Sequence, residues 1–199
     1  MEANPTPFQT DENSLDVALM ARIGEGDHAA FRSLVERHQD AVVGTVAKML
    51  GNPSEAEDIS QQVFLRLWHH AKRYRPEAKF TTYLFTITRN LVFNETRRRS
   101  RRKEVSSDEC EESSHVQLEA DPDRQPDCEL LQAELRQAVD AAIAALPEAQ
   151  RMAVVLRRYE RMPYEEIAGV LNLSVPAVKS LLFRARSTLR DSLSTYLAD

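Results

Sequence analysis

The sequence predicts an all-α fold made of two small helical domains that are joined by an acidic flexible linker. Apolar residues recur at the three- and four-residue spacing of helices, and no stretch alternates strictly as a strand would. Residues 104–128 are rich in Ser, Asp, Glu and Pro, a composition that cannot bury a core. We therefore expect a disordered tail over 1–14, one domain over 15–103, the linker over 104–128, and a second domain over 129–199 that contains a helix-turn-helix.

Four helices are predicted in the N-terminal domain, because residues that begin or end helices separate its apolar stripes. Asp and Asn side chains accept hydrogen bonds from the free N–H groups of a helix's first turn, and Gly often follows the last turn. The separators are Gly24 after the first helix, Asp27 and Gly51 around the second, Asn52 before the third, and Thr81 or Thr82 at the start of the fourth. The fourth helix runs into an arginine cluster, defined here as residues 97–103.

Two of these helices carry polar faces opposite their apolar stripes. The face on the third helix consists of Asp58, Gln61, Gln62 and Arg66. By itself this set indicates only contact with water. The face on the fourth helix mixes aromatic, amide and arginine side chains, which suits bases that are stacked and hydrogen-bonded. Its members are Tyr83, Thr86, Arg89, Asn90, Phe93 and Arg97. The alternative, that Tyr83 and Phe93 pack on a neighbouring helix, stays open from the residues alone.

Residues 163–186 have the pattern of a helix-turn-helix, with Ser174 as the N-cap of its second helix. In this unit the first helix supports the second, which lies in the major groove of DNA. The expected buried positions are Ile167, Leu171, Leu173 and Val178, with the small Ala168 where the helices approach. The second helix would present Pro176, Ala177, Lys179 and Ser180 to bases, and Arg184 and Arg186 to phosphates. Similar helix pairs occur in bundles that bind no DNA, but these cations favour DNA binding.

The charge distribution also favours a nucleic-acid partner, although the whole chain has a net charge of −5. Residues 104–129 contain ten acidic residues and a single basic one, Arg124, so the remainder of the chain is positive. The arginine cluster comes directly before this acidic stretch. Two roles for the linker stay open, namely a mask that folds back on the arginine cluster and a solvated tether, and the composition favours the tether.

Motifs in both domains resemble a known family. The stretches 58–68 (DISQQVFLRLW) and 80–91 (FTTYLFTITRNL) are similar to conserved region two of bacterial sigma factors. The helix-turn-helix is similar to region four through its PYEEIA, VKS and RAR segments. The resemblance covers 15–103 and 129–190 in the family's order. The absence of regions one and three is typical of the extracytoplasmic-function (ECF) group.

The resemblance implies a subunit that gives core RNA polymerase its promoter specificity and performs no catalysis of its own. Its implied partners are core RNA polymerase, promoter DNA and an anti-sigma factor, with no cofactor or metal. The polymerase-binding surface would be Asp58, Gln61, Gln62 and Arg66. The loop 72–79 matches the one that captures a base flipped from the minus-ten element. The residues matched to reading and melting that element are Arg73, Tyr74, Lys79, Thr86, Arg89, Asn90, Phe93, Asn94 and Arg97. The minus-thirty-five element would be read by Pro176, Ala177, Lys179, Ser180, Arg184 and Arg186.

Three positions depart from the pattern that is usual in this family. Gln62 stands where Glu is common, which removes a charge from the polymerase-facing side. Leu181 stands where Arg is common, so we expect one DNA contact to be lost. Met162 and Pro163 replace the usual Ser or Thr cap, which predicts a weaker start for the first helix of the helix-turn-helix.

Other functions fit less of the chain. A helix-turn-helix regulator that binds duplex DNA as a dimer would explain 163–190 but neither polar face of the N-terminal domain. An enzyme is disfavoured, because no nucleotide-binding, metalloprotease or catalytic-triad motif is found. Cys110 and Cys128 lack metal-binding spacing, and no apolar run reaches the about 20 residues of a membrane span. The N-terminus does not resemble a signal peptide, so we expect a cytoplasmic protein that does not insert into membranes.

Overall fold

The computed structural model describes residues 7–105 and 126–196, and within these ranges every regular element is helical. The elements are α1 (Pro7–Gly24), α2 (His28–Leu50), α3 (Pro53–His70), a 3-10 turn (Ala71–Arg73), α4 (Phe80–Val105), α5 (Pro126–Ala144), α6 (Glu148–Arg158), α7 (Tyr164–Leu171), α8 (Val175–Ser192) and a second 3-10 turn (Ser194–Tyr196). The predicted all-α fold is confirmed. Most of the acidic linker, with Cys110 and the proposed fold-back on the arginine cluster, lies outside the described residues.

The predicted caps of α2, α3 and α8 are confirmed, whereas α4 begins at Phe80, just before the predicted start at Thr81 or Thr82. The side chains of Asp27, Asn52 and Ser174 each accept a hydrogen bond from a backbone N–H in the first turn of α2, α3 and α8. Gly51 ends α2 with a φ of 69°, a left-handed conformation that glycine adopts without strain. These local signals therefore set the boundaries of the helices that carry the predicted sites.

α1 begins at Pro7, so residues 7–14 are helical where the sequence predicted a disordered tail, and residues 1–6 of that predicted tail lie outside the described residues. The start of α1 carries no apolar stripe, and side-chain contacts with other helices hold the helix instead. The buried carboxylate of Asp16 lies 3.0 Å from Arg37 Nε and 3.0 Å from His38 Nε2, both on α2. Because a buried carboxylate is costly without such partners, this pair of contacts fixes where α1 lies on α2.

The core of the N-terminal domain forms where α2, α3 and α4 meet. Leu34 and Val46 of α2, Leu67 of α3, and Phe80 and Leu84 of α4 are all fully buried. Each large apolar side chain that is removed from water in this way stabilises the fold by about 1.5–3 kcal/mol. The same burial turns the polar face of α3 away from the core.

The core of the C-terminal domain contains Ile167, Leu171 and Val178 as predicted, but not Leu173. Leu173 is 42% exposed, because it lies in the turn after α7, where its N–H donates to the Ala168 carbonyl at 2.9 Å. Among the described residues no single helix is both long and apolar enough to cross a membrane. The pair α7 and α8 meets that criterion only when the two are taken together across their 97° bend.

The two domains pack against each other through α2 with α5 and α6, and through α4 with α7. Arg151 of α6 donates to the Met49 carbonyl at the end of α2, at 2.7 Å, and to the Leu146 carbonyl at 3.1 Å. The last carbonyls of a helix have no partner within it, so one guanidinium serves the ends of helices from both domains. Beside it, the Thr45 hydroxyl donates to Glu160 Oε1 at 3.2 Å.

Candidate nucleic-acid interface

The polar face of α3 is open to solvent along its whole length. Its predicted members Asp58, Gln61, Gln62 and Arg66 are all exposed, and Leu67 on the opposite side is fully buried. The structure adds Leu65, which is 55% exposed and follows Gln61 and Gln62 at helical spacing. The sequence analysis missed Leu65 because it counted only polar residues on this side. The α3 face, as we call these five residues, is therefore polar with an apolar centre, as protein-binding surfaces often are.

The loop 72–79 combines exposed cations with a half-buried tyrosine. Arg73 is exposed in the 3-10 turn, whereas the ring of Tyr74 packs 5.0 Å from the Tyr83 ring and 6.3 Å from the Phe80 ring, centroid to centroid. Burial raises the pKa of both Tyr74 and Tyr83 above the ordinary value of 10, so both phenols stay protonated at neutral pH. The buried Tyr74 hydroxyl has no hydrogen-bond partner within the described ranges.

A cavity of about 370 Å³ lies between this loop and α1. Its α1 side is apolar and its loop side carries cationic and aromatic groups. The lining includes Val17, Met20 and Ala21 of α1, and Lys72, Tyr74 and Arg75 of the loop. The cavity could not be predicted from the sequence, because its two sides come from segments about 50 residues apart in the chain. An apolar wall that faces a cationic rim suits a planar polar group carried on an anionic chain.

The predicted outer side of α4 is only partly exposed. Asn90, Asn94 and Arg97 face solvent, but Thr86 and Arg89 are half-buried. Phe93 and Tyr83 pack against the core, so the alternative in which they contact neighbouring helices is the correct one for this conformation. Tyr83 is therefore not a free stacking surface.

Helix α7 of the C-terminal domain covers this part of α4. Arg89 donates from Nη1 to the Leu171 carbonyl at 3.2 Å, and Lys79 Nζ lies 2.6 Å from Glu166 Oε1. A Cβ added at Gly169 would lie 3.0 Å from the Thr82 methyl, so the two helices are in close contact. Two of the cations predicted to bind DNA are thus paired with the C-terminal domain.

The arginine cluster divides into exposed and paired members. Arg97, Arg101 and Arg102 are exposed. Arg98 pairs with Glu95 at 2.8 Å, and Arg99 bonds to the Leu50 carbonyl at 2.9 Å and pairs with Glu55. Arg99 therefore ties α4 to α2 and α3, a role that a run of similar residues does not reveal.

Helix α8 presents its predicted side to solvent. Pro176, Lys179, Arg184 and Arg186 are exposed, Ala177 and Ser180 are half-buried, and Arg184 Nη2 donates to Ser180 Oγ at 3.1 Å. The structure adds Phe183, which is 73% exposed and lies one helical turn from both Lys179 and Arg186. The sequence analysis had not separated Phe183 from the core residues around it. Leu181 is half-buried against the core and offers no cation here.

The start of α7 is weakly capped, as predicted. Pro163 occupies the N-cap position and makes no side-chain hydrogen bond. The backbone reverses just before it, where Arg161 has a φ of 54°, and Met162 is buried. Arg157 instead fixes the backbone before the helix, because its Nη1 donates to the Met162 carbonyl at 2.9 Å and its guanidinium lies 4.9 Å from the Tyr164 ring centroid.

An exposed polar face with an apolar centre and two cationic surfaces on separate helical domains, one of them a helix-turn-helix, are typical of a two-domain DNA-binding protein. Comparison with known families gives the class more closely. Residues 34–102 match the family model of sigma-70 region 2, and residues 136–189 match that of sigma-70 region 4. The chain belongs to the ECF group of RNA polymerase sigma factors, and it therefore acts in transcription initiation.

Curated relatives cover nearly the whole chain. The chain is 30% identical to the RNA polymerase sigma-H factor of Pseudomonas aeruginosa over 189 residues, which span 92% of this chain and 96% of that one. It is 33% identical to the ECF RNA polymerase sigma-E factor of Escherichia coli K12 over 183 residues, 89% and 94% of the two chains.

Two solved structures share the fold. The structure of CnrH in complex with the cytosolic domain of CnrY has a TM-score of 0.68 and 25% identity over 91% of this chain and 98% of that one. The sigma factor RpoE in complex with the anti-sigma factor NepR from Bartonella quintana has a TM-score of 0.67 and 23% identity, and covers 82% and 96% of the two chains. The second likeness concerns the fold alone.

Proposed function

We propose that this sigma factor binds core RNA polymerase through the α3 face, reads and melts the minus-ten element with the loop 72–79 and α4, and reads the minus-thirty-five element with α8. The observation that carries the proposal is the separation of three surfaces, two of them exposed and the one on α4 partly covered by α7, each in a segment that matches a sigma region. One surface is polar with an apolar centre and suits a protein partner. The other two are cationic and aromatic, and they lie on different domains, as two separated DNA elements require.

The cavity beside Tyr74 supports the capture of a flipped base. Flipping a base costs a few kcal/mol, which stacking and hydrogen bonds in a pocket offset. The Tyr74 hydroxyl supplies an unused donor, and Lys72 and Arg75 supply charge for the adjoining phosphates. The exposed Asn90 and Asn94 amides on α4 carry both donors and acceptors for base edges.

The exposed side of α8 supports the reading of a duplex. Lys179 and Ser180 reach base edges in the major groove, and Arg184 and Arg186 reach phosphates. Phe183 offers an apolar surface that fits the methyl group of thymine, the one apolar group that this groove displays. Leu181 makes no contact of this kind because it packs on the core.

Contact between α4 and promoter DNA requires the two domains to part. Helix α7 lies on α4, Arg89 is bonded to Leu171, and Lys79 is paired with Glu166. The α3 face is exposed in the same conformation, so polymerase has access before this separation takes place. CnrH, which shares the fold, is in complex with the cytosolic domain of CnrY. We include in the proposal an anti-sigma factor that holds this chain in a closed arrangement.

Run-off transcription with purified core polymerase and a genomic promoter pool tests the proposal. We expect specific transcripts only when the protein is added, and we expect Gln61→Arg on the α3 face to abolish both transcription and co-migration with the core enzyme. Gln39→Arg, the same change at an exposed position of α2, serves as the matched control and should leave both intact. Absence of transcripts from every promoter, or dimeric DNA binding without co-migration, would contradict the proposal.

A further inference from the structure

Helix α1 contacts the loop 72–79 at both of its ends. The match to sigma-70 region 2 begins at residue 34, so it assigns no role to α1. Asn13 lies at one end of the contact and Gly24 at the other, eleven residues apart, which is about 16 Å of helix. The segment of α1 between them runs beneath the loop.

Asn13 holds the end of the loop that leads into α4. Phe80 is the first residue of α4, and its N–H donates to Asn13 Oδ1 at 2.8 Å across 67 residues of sequence. The residue before Phe80 is Lys79, whose carbonyl accepts the first bond of the helix from Tyr83 N–H, at 3.3 Å. A lysine side chain has donors only, so it cannot cap these N–H groups. The cap of α4 therefore comes from α1.

Gly24 holds the opposite end of the loop. A Cβ at this position would lie 3.4 Å from the Ala71 carbonyl oxygen, so the backbone of α1 touches the 3-10 turn in which the loop begins. Between the two ends, Val17 and Met20 form the wall of the cavity that faces Tyr74. α1 therefore meets the loop at both of its ends, by a hydrogen bond from Phe80 to Asn13 and by close backbone approach at Gly24, with the cavity between them.

The position of α1 is itself fixed by a second set of contacts. The buried Asp16 carboxylate meets Arg37 and His38 of α2, each at 3.0 Å. Asp16 comes three residues after Asn13, so it lies on the same side of α1. Movement of Asn13 away from Phe80 would therefore also strain a buried ion pair.

We propose that α1 is a brace for the loop 72–79 and that Asn13 is a positioning residue for reading the minus-ten element. Asn13 acts through Phe80, since it sets where α4 begins and hence where Tyr74, Lys79 and the DNA-facing side of α4 lie. This inference rests on the function proposed above for the loop. The part of it that concerns loop geometry has a test that needs neither polymerase nor DNA.

Three variants test the hydrogen bond by which Asn13 caps α4. Asn13→Ala removes the acceptor and leaves the Phe80 N–H unpaired. Asn13→Asp retains an oxygen at the same place and adds a charge that the start of a helix favours, so it should restore the wild-type behaviour. Glu12→Ala changes the exposed neighbour on the same helix and serves as the control.

Amide hydrogen exchange on the free protein measures the brace directly. We expect exchange over residues 72–80 to be about fivefold faster in Asn13→Ala, the factor that corresponds to a lost cap. Exchange in Asn13→Asp and Glu12→Ala should match wild type. Unchanged exchange of the loop in Asn13→Ala would overturn the inference. So would equal acceleration in α3, because that result indicates general loosening of the domain.

Promoter opening measures the consequence for function. With core polymerase, permanganate reactivity of minus-ten thymines should fall about fivefold in Asn13→Ala and return in Asn13→Asp, while affinity for a minus-thirty-five duplex stays unchanged. If the wild-type protein opens the promoter and Asn13→Ala opens it equally well, the positioning role of Asn13 is overturned. The inference that α1 supports the loop is then decided by the exchange experiment. If the wild-type protein opens no promoter, the proposed function fails, and the exchange experiment still decides whether α1 braces the loop.

Discussion

The two candidate DNA-binding helices, α4 and α8, differ in what covers them. The predicted side of α8 faces solvent, with Phe183 73% exposed beside Lys179 and Arg186. The corresponding side of α4 lies under α7, which bonds Arg89 and pairs with Lys79. The two surfaces have similar chemistry but different accessibility. Under the proposed function, the free protein therefore exposes the helix that reads the minus-thirty-five element and covers part of the surface that reads the minus-ten element.

The contacts between the two domains combine close packing with single polar pairs. Gly169 of α7 packs closely on Thr82 of α4. Neutral hydrogen bonds such as the one between Thr45 and Glu160 contribute about 0.5–1.5 kcal/mol each, and partly exposed ion pairs such as Lys79 with Glu166 contribute about 0–1 kcal/mol. The polar pairs alone therefore contribute little, and the packing of α7 on α4 is the contact to test.

Forcing α7 away from α4 should cause the largest change in DNA affinity. Gly169→Ile places a stiff branched side chain where even a Cβ would lie 3.0 Å from the Thr82 methyl. Overpacking of this kind costs about 1–3 kcal/mol, so we expect at least a tenfold gain in the affinity of the free protein for single-stranded minus-ten DNA. Fluorescence anisotropy measures it. Gly44→Ile is the control, because a Cβ at Gly44 meets nothing within 4 Å. An unchanged affinity for Gly169→Ile would show that α7 does not limit access.

Removing a cation from α8 should have a smaller effect that is confined to duplex DNA. Arg186→Ala should weaken binding to a minus-thirty-five duplex about fivefold across sequences and reduce the salt slope by about one, because one phosphate contact is lost. The exposed Arg66 of α3 provides the control, since Arg66→Ala removes the same charge from a surface that we assign to polymerase. A salt slope that Arg186→Ala leaves untouched would contradict the phosphate role.

A change of pH should have the smallest effect on DNA affinity, and it should change the accessibility of α4 but not that of α8. Burial raises the pKa of Glu160 above its ordinary value of 4.5, and the Thr45 hydroxyl opposes this in part. The closed arrangement therefore holds more protons than the open one. Closure gains stability as pH falls through the raised pKa of Glu160 and loses it as pH rises above that value.

Affinity for single-stranded minus-ten DNA should accordingly fall two- to threefold as the solution is acidified from neutral pH toward 5. Glu160→Gln should remove most of this dependence. Burial also raises the pKa of Glu148, which faces Thr96, Arg97 and Arg151, so the double variant with Glu148→Gln should remove the remainder. Affinity of α8 for duplex DNA serves as the internal reference. If that affinity shows the same pH profile, the effect does not come from domain closure.

Features that depend on neighbouring residues in the sequence were predicted well. Asp27, Asn52 and Ser174 cap their helices as expected, because a cap needs only its own side chain and the next turn. The exposure of the polar α3 residues follows from helical spacing in the same way. Assignment to a family came from motifs of this local kind.

Features that depend on distant residues were not predictable. The position of α1 depends on contacts with α2 and α4. Arg99 bonds to the Leu50 carbonyl and pairs with Glu55. Arg89 bonds to Leu171 of the other domain. Leu173 was misplaced because a helical stripe was continued into a turn. In the first three cases the contacting residue lies far away in the sequence. For Leu173 the direction of the backbone in the turn decides the exposure of the side chain.

The exposed α3 face also has a kinetic consequence. A genome presents on the order of a million or more competing sites, and single strands arise wherever DNA opens. Under the proposed function, a chain whose α4 surface was always accessible would spend its time on such sites. The α3 face is accessible while α7 lies on α4, so we expect polymerase to bind first and melted DNA second. The covered surface would then shorten the search for promoters, because fewer unproductive complexes form.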